Sequence, residues 1–188
     1  MNLPNKLTLL RFVLTIIFIL FLFKDTFLFT LLAFIIFSLA SLTDFLDGYI
    51  ARKKNLITNF GKIMDPIADK FLVLSAFYVF ASLSIMPAWM FWVIFVREVG
   101  ITLWRFVRMS KGNVIAAESL GKYKTVLQMS AIIIILIFMV VDQSSWPIAN
   151  NDQMLAIFSS FINILLIAAV ILTVASGAQC LLKNISKG

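Results

Sequence analysis

The chain has 188 residues; 62% are hydrophobic, only 13% are charged, and the mean hydropathy is +1.03. Soluble domains average roughly 45–50% apolar residues, so no polar shell could cover a globule of this size, and a soluble enzyme and a disordered chain are both excluded. The net charge of +7, with a pI near 9.8, reads in such a chain as membrane orientation and contact with anionic lipid, and nucleic-acid binding is not expected.

Uncharged stretches predict helices at about 7–23, 27–51, 60–84, 87–109, 122–141 and 153–180, most near the ~20 residues that cross a bilayer. The first resembles a signal peptide in length, but no small-residue cleavage site follows Phe23, so it reads as a retained span with Arg11 snorkelling to the interface. The uncharged run from Phe71 to Val96 divides at Pro87, which suits a helix start near Ala88. With six spans, Lys6, Arg11, Arg52–Lys54, Lys62, Arg105, Arg108, Lys111, Lys122, Lys124, Lys183 and Lys187 fall on one side, and the opposite loops offer Lys24 alone among basic residues. The expectation is an all-α integral membrane protein. It has six transmembrane helices in a single membrane domain over 1–188, both termini are cytoplasmic, and it lies in the cell membrane.

Chemistry is bounded by what is missing. His is absent and Cys180 is the only cysteine, so no His-based triad, His/Cys zinc site or intramolecular disulfide can form, and acid–base or metal work falls to Asp and Glu. Asp44 and Asp47 stand at the cytoplasmic end of the second predicted helix, with Gly48 and Ala51 on the same face at offsets of 0, 3, 4 and 7. Asp65 and Asp69 share a face near the start of the third, with Asp65 expected in the first turn or at a kink beside Pro66.

A short basic loop joins these helices, so the four carboxylates converge at the membrane boundary, where each bare Asp would be costly. Ion pairs to Lys62, Lys70, Arg52 or Arg97 are one solution. The other is two Mg²⁺ or Mn²⁺ ions, which hard oxygen ligands suit, beside a notch of Gly48, Ala51 and Gly61 that could clamp a diphosphate. Small residues also serve as plain helix contacts.

The run Asp44-x-x-Asp47-Gly48-x-x-Ala51-Arg52, eight residues, then Gly61-x-x-x-Asp65-x-x-x-Asp69 resembles the signature of the CDP-alcohol phosphatidyltransferase family at every fixed position. Asn2–Arg11, Met64–Lys70, Arg97-Glu98 and Gly121-Lys122-x-Lys124-Thr125-x-x-Gln128 are similar to softer motifs of its glycerol-3-phosphate-using branch. The resemblance implies transfer of a phosphatidyl group from CDP-diacylglycerol to sn-glycerol 3-phosphate, with release of CMP at the cytoplasmic face, by a homodimer. It implies metal ligation by Asp44, Asp47 and Asp65, completed by Asp69, which would also be the catalytic base. It implies that Gly48, Ala51 and Arg52 face the CDP moiety.

The acceptor needs an anion site of its own. Arg105 and Arg108 near the end of the fourth helix, with Lys122 and Lys124 opening the fifth, could bind its phosphate, although positive-inside topology alone would also place them there. Arg97 and Glu98 lie deeper and read first as a structural ion pair that reaches the site. Two rival readings stay open. One is a family member with another acceptor, such as serine, choline, inositol phosphate or phosphatidylglycerol. The other is a divalent-cation transporter, whose ligands should lie nearer the membrane midplane.

Overall fold

A computed structural model describes residues 3–53, 59–110, 119–144, 146 and 151–185, with side chains at all of these except 3–5, 44–53, 59–63, 109, 110, 119, 120 and 183–185. The described residues contain no strand and form α1 (Leu3–Leu22), α2 (Phe27–Lys53), α3 (Asn59–Ser82), α4 (Ala88–Ser110), α5 (Ser119–Asp142) and α6 (Asp152–Ile185). An apolar chain satisfies its backbone internally in this way without water.

The helices stand where the uncharged stretches predict them, with three differences. α1 begins at Leu3 rather than near 7, because Pro4 falls in the first turn, where its missing N–H has no intrahelical acceptor to lose. α6 continues to Ile185, past the expected 180. Pro66 lies inside α3, so Asp65 occupies the second turn rather than the first. Pro87 directly precedes α4, and its carbonyl accepts the Met90 N–H at 3.0 Å.

α1 packs on α2 and α3, α5 on α2 and α6, and α4 on α3 and α6. The shared core includes Phe18, Phe37, Phe77, Phe80, Ile94, Ile132 and Leu136, all completely buried. Phe18 and Phe37 bring α1 and α2 together with ring centroids 5.6 Å apart. Outward faces are apolar as well. Val13, Leu39, Trp92, Val126 and Ile164 are each at least half exposed, one on each of α1, α2, α4, α5 and α6, far beyond the scattered apolar exposure of a soluble monomer. Gly121–Asp142 and Asp152–Leu182 are each long and apolar enough to cross a membrane.

α1 has a sharply divided surface. Thr8, Arg11, Thr15, Phe18 and Leu22 recur at alternating spacings of three and four and are all completely buried, while Leu9, Leu10, Val13, Ile16 and Leu20 are exposed. Arg11 therefore does not snorkel; its position in the spacing puts it on the packing seam, and the side chain enters the bundle. At the far end of α1, Asp25 turns the chain with φ of 46°, a conformation Asp tolerates. Its Oδ1 accepts a 2.6 Å hydrogen bond from Gln143 Nε2, which ties the α1–α2 turn to the segment after α5 and places both at one end of the bundle.

Candidate active site

The carboxylates of the motif are carried by α2 and α3. Asp44, Asp47, Gly48, Ala51 and Arg52 belong to α2, which extends through Lys53, and Gly61 belongs to α3; the side chains of these residues lie outside the described ones. Asp65 and Asp69 are described, four residues apart on α3 and both half-buried. Among the described residues no three carboxylates converge and no ion pair engages Asp65 or Asp69. Asp65 Oδ1 instead accepts a 2.6 Å hydrogen bond from the buried Thr8 hydroxyl of α1.

Glu98 of α4, 3% exposed, lies behind this pair at the centre of a cation cluster. Lys70 Nζ of α3 donates to its Oε2 at 2.9 Å, Arg97 Nη1 to its Oε1 at 2.9 Å, and Lys124 Nζ of α5 to the same Oε1. Arg97 Nη2 reaches α6, donating to Ser176 Oγ at 2.7 Å, and Gln128 Nε2 donates to Thr173 Oγ1 at 3.1 Å. The Arg97–Glu98 pair expected from the sequence is present, but it is one edge of a network joining α3, α4, α5 and α6. A cavity of about 20 Å³, enough for one water, is lined by Asp69, Lys70, Glu98, Lys124, Thr125 and Gln128. It puts the motif's last carboxylate and the cation cluster in one small polar space.

The four cations assigned to the acceptor separate in the structure. Lys124 is buried against Glu98, whereas Lys122 is exposed, since residues two apart on a helix point about 160° away from each other. Arg105 lies seven residues after Glu98 and so shares its face of α4, with Nε buried. The Arg108 guanidinium sits 5.3 Å from the Trp104 ring centroid, a cation–π contact along the same helix. Thr8 and the direction of Lys70 escaped the sequence reading. The spacing of Thr8, Arg11 and Thr15 was the available signal for the first.

A larger groove of about 820 Å³ runs between α4 and α6 past Trp92, Gly100, Trp104 and Gly177. Its walls are apolar, and Arg97 forms part of its floor with its charged end turned to Glu98 and Ser176.

A profile of the CDP-alcohol phosphatidyltransferase family matches residues 1–175. The chain belongs to this family. It is 38% identical over 175 residues to the CDP-diacylglycerol–glycerol-3-phosphate 3-phosphatidyltransferase of Bacillus subtilis (strain 168), covering 86% of this chain and 91% of that one. It is 41% identical over 137 residues to the enzyme of the same name from Rickettsia bellii (strain RML369-C), covering 72% of this chain and 75% of that one.

Proposed function

We propose that this phosphatidyltransferase moves the phosphatidyl group of CDP-diacylglycerol to sn-glycerol 3-phosphate, giving phosphatidylglycerophosphate and CMP. The relatives' shared activity supports this reading. The structural observation that carries it is the meeting of Asp69 with Lys70 and Lys124 at one polar cavity, a carboxylate base beside cations suited to a phosphorylated acceptor. With Asp69 counted beside Glu98, the cluster still holds three cations to two carboxylates, and Lys70, 26% exposed, is its open member. Surplus positive charge at so low a dielectric favours a phosphate-bearing alcohol over serine or choline.

The donor set of the motif is all carboxylate oxygen, which fits hard divalent cations. Asp44, Asp47, Asp65 and Asp69 would hold two of them, Mg²⁺ or Mn²⁺. Once bound, such ions supply Lewis-acid polarisation of the diphosphate and charge compensation for departing CMP. The remaining work is the chain's own. Gly48, Ala51, Arg52 and Gly61 seat the CDP end of the donor. Lys124, Lys70 and Arg105 hold the acceptor phosphate, with Lys122 and Arg108 peripheral to it. Asp69 takes the proton of the acceptor hydroxyl as its oxygen bonds to the lipid-linked phosphorus and the phosphorus–oxygen bond to CMP breaks. A carboxylate is a modest base, so much of the rate comes from positioning.

The same reading has six membrane-spanning helices, both termini and the active site at the cytoplasmic face, and a homodimer. The exposed apolar belt and the one-sided distribution of Lys and Arg support the spans and their orientation.

The deciding experiment gives purified protein in detergent CDP-diacylglycerol with sn-glycerol 3-phosphate, glycerol, serine, inositol phosphate or phosphatidylglycerol, and reads the lipid product. Phosphatidylglycerophosphate with stoichiometric CMP is the expected outcome. Turnover that survives thorough chelation would remove the metals, and preferred use of another acceptor would remove the substrate assignment.

A further inference from the structure

Hydroxyls on membrane helices usually return their proton to their own backbone one turn back. Thr15 gives it to the Arg11 carbonyl, Ser38 to Phe34, Thr102 to Glu98, Thr125 to Gly121 and Thr173 to Ala169. Thr8 is different. Its hydroxyl, completely buried, crosses from α1 to α3 and donates to Asp65 Oδ1 at 2.6 Å, joining residues 57 apart in sequence.

The donor's chemistry is informative. Glu98 shows how this protein holds a carboxylate that is to stay put, by surrounding it with Lys70, Arg97 and Lys124. A cation at Asp65 would compete with any metal for the same negative charge. A hydroxyl fixes one oxygen of the carboxylate, leaves the charge in place, and frees the other oxygen for a ligand.

We infer that Thr8 is a positioning residue of the metal site, a buried neutral donor on α1 that orients Asp65 for a divalent cation. This rests on the metal-dependent reading above and extends the site to a third helix, on which the buried Thr8 meets Asp65. It also gives a purpose to the buried Thr8, which the transfer reaction itself does not use.

The test compares Thr8→Val, which keeps size and branching but loses the donor, with Thr8→Ser, which keeps the donor. Mn²⁺ binding to purified protein without lipid substrate is read by electron paramagnetic resonance of the free ion, alongside metal-free melting temperature and the Mn²⁺ concentration for half-maximal turnover. Thr8→Val should lose about 10- to 100-fold in Mn²⁺ affinity. Half-maximal turnover should shift in parallel, the KM for sn-glycerol 3-phosphate should hold, and Thr8→Ser should bind like wild type. If Thr8→Val does not accumulate, Thr8→Ala removes the same donor without crowding.

Wild-type Mn²⁺ affinity in the Val or Ala variant overturns the positioning role alone. An equal loss in Thr8→Ser overturns it too, because the donor is still there. Wild-type protein that binds no Mn²⁺ overturns the metal reading itself, and this inference with it.

Discussion

Two carboxylate environments lie within a few helical turns of one another and are built on opposite plans. Glu98 is buried and held by three cations from three helices. Asp65 and Asp69, half-buried on α3, meet no ion-pair partner among the described residues; Asp65 accepts a neutral hydrogen bond from Thr8, and Asp69 lies within the electrostatic reach of Lys70, Arg11 and Lys124. The first arrangement consumes a charge to hold four helices in register. The second keeps charge available. Half-buried carboxylates without a direct ion-pair partner among the described residues are expected to meet further counter-charge in a ligand.

Substitutions should separate the two environments. The largest effect is expected on the available carboxylates: Asp44→Asn, Asp47→Asn or Asp65→Asn should bring turnover to background and weaken Mn²⁺ binding while melting temperature is held or raised. Asp69→Asn should be equally inactive with a smaller loss of metal affinity, because the proposed mechanism gives it proton acceptance as its distinct task. Near-normal kcat in Asp69→Asn would move the base elsewhere.

Glu98→Ala reverses the signature. Removing the one carboxylate from a buried group of three cations should cost about 3–5 kcal/mol of stability, read as a fall in melting temperature in detergent, with Mn²⁺ affinity preserved in the protein that stays folded. If Glu98→Ala melts like wild type, the cluster is not a structural anchor.

Lys124→Met tests whether the two environments share a substrate. A charge-assisted phosphate contact of about 1.5–3 kcal/mol implies a rise of roughly 10- to 150-fold in acceptor KM, with the KM for CDP-diacylglycerol little changed. Lys122→Ala, on the opposite face of α5, should leave both near wild type. Equal effects in the two variants would place the phosphate away from the buried cluster.

The smallest effect is expected at Gly177, where a new Cβ would come 3.2 Å from Arg97 Cγ and 3.3 Å from its Nε. Gly177→Ala should lower stability by about 1 kcal/mol or less, since a flexible side chain can shift before backbone does. Its Mn²⁺ affinity should equal wild type.

These contrasts also mark how far the sequence could be read. The helices followed from the lengths of uncharged runs, and Asp44 to Asp69 from a spacing that few other chemistries need. Arg11 was misread because snorkelling and burial differ only in the azimuth of the helix, which depends on neighbours far along the chain. The Thr8–Asp65 bond has the same origin. Lys122 and Lys124 are another case, since an i, i+2 pair on a helix cannot face one pocket, and their separation was legible from the spacing alone. Lys70 has Asp69 beside it in sequence but turns to Glu98, which no local pattern announces.

The buried Arg11 has a consequence for how the protein is made. On the proposed six-span topology, α1 is the first of these helices to leave the ribosome, and it carries into the bilayer a guanidinium whose place is inside the finished bundle. An arginine at the centre of a lone helix costs about 2.5–3.5 kcal/mol on the insertion scale, less toward an end. On that topology the cost is relieved as α2 and α3, on which α1 packs, join the bundle. Biogenesis of α1 is thus coupled to the hairpin that follows, and a truncated chain that ends after α1 should be retained in the membrane less efficiently than one that ends after α3.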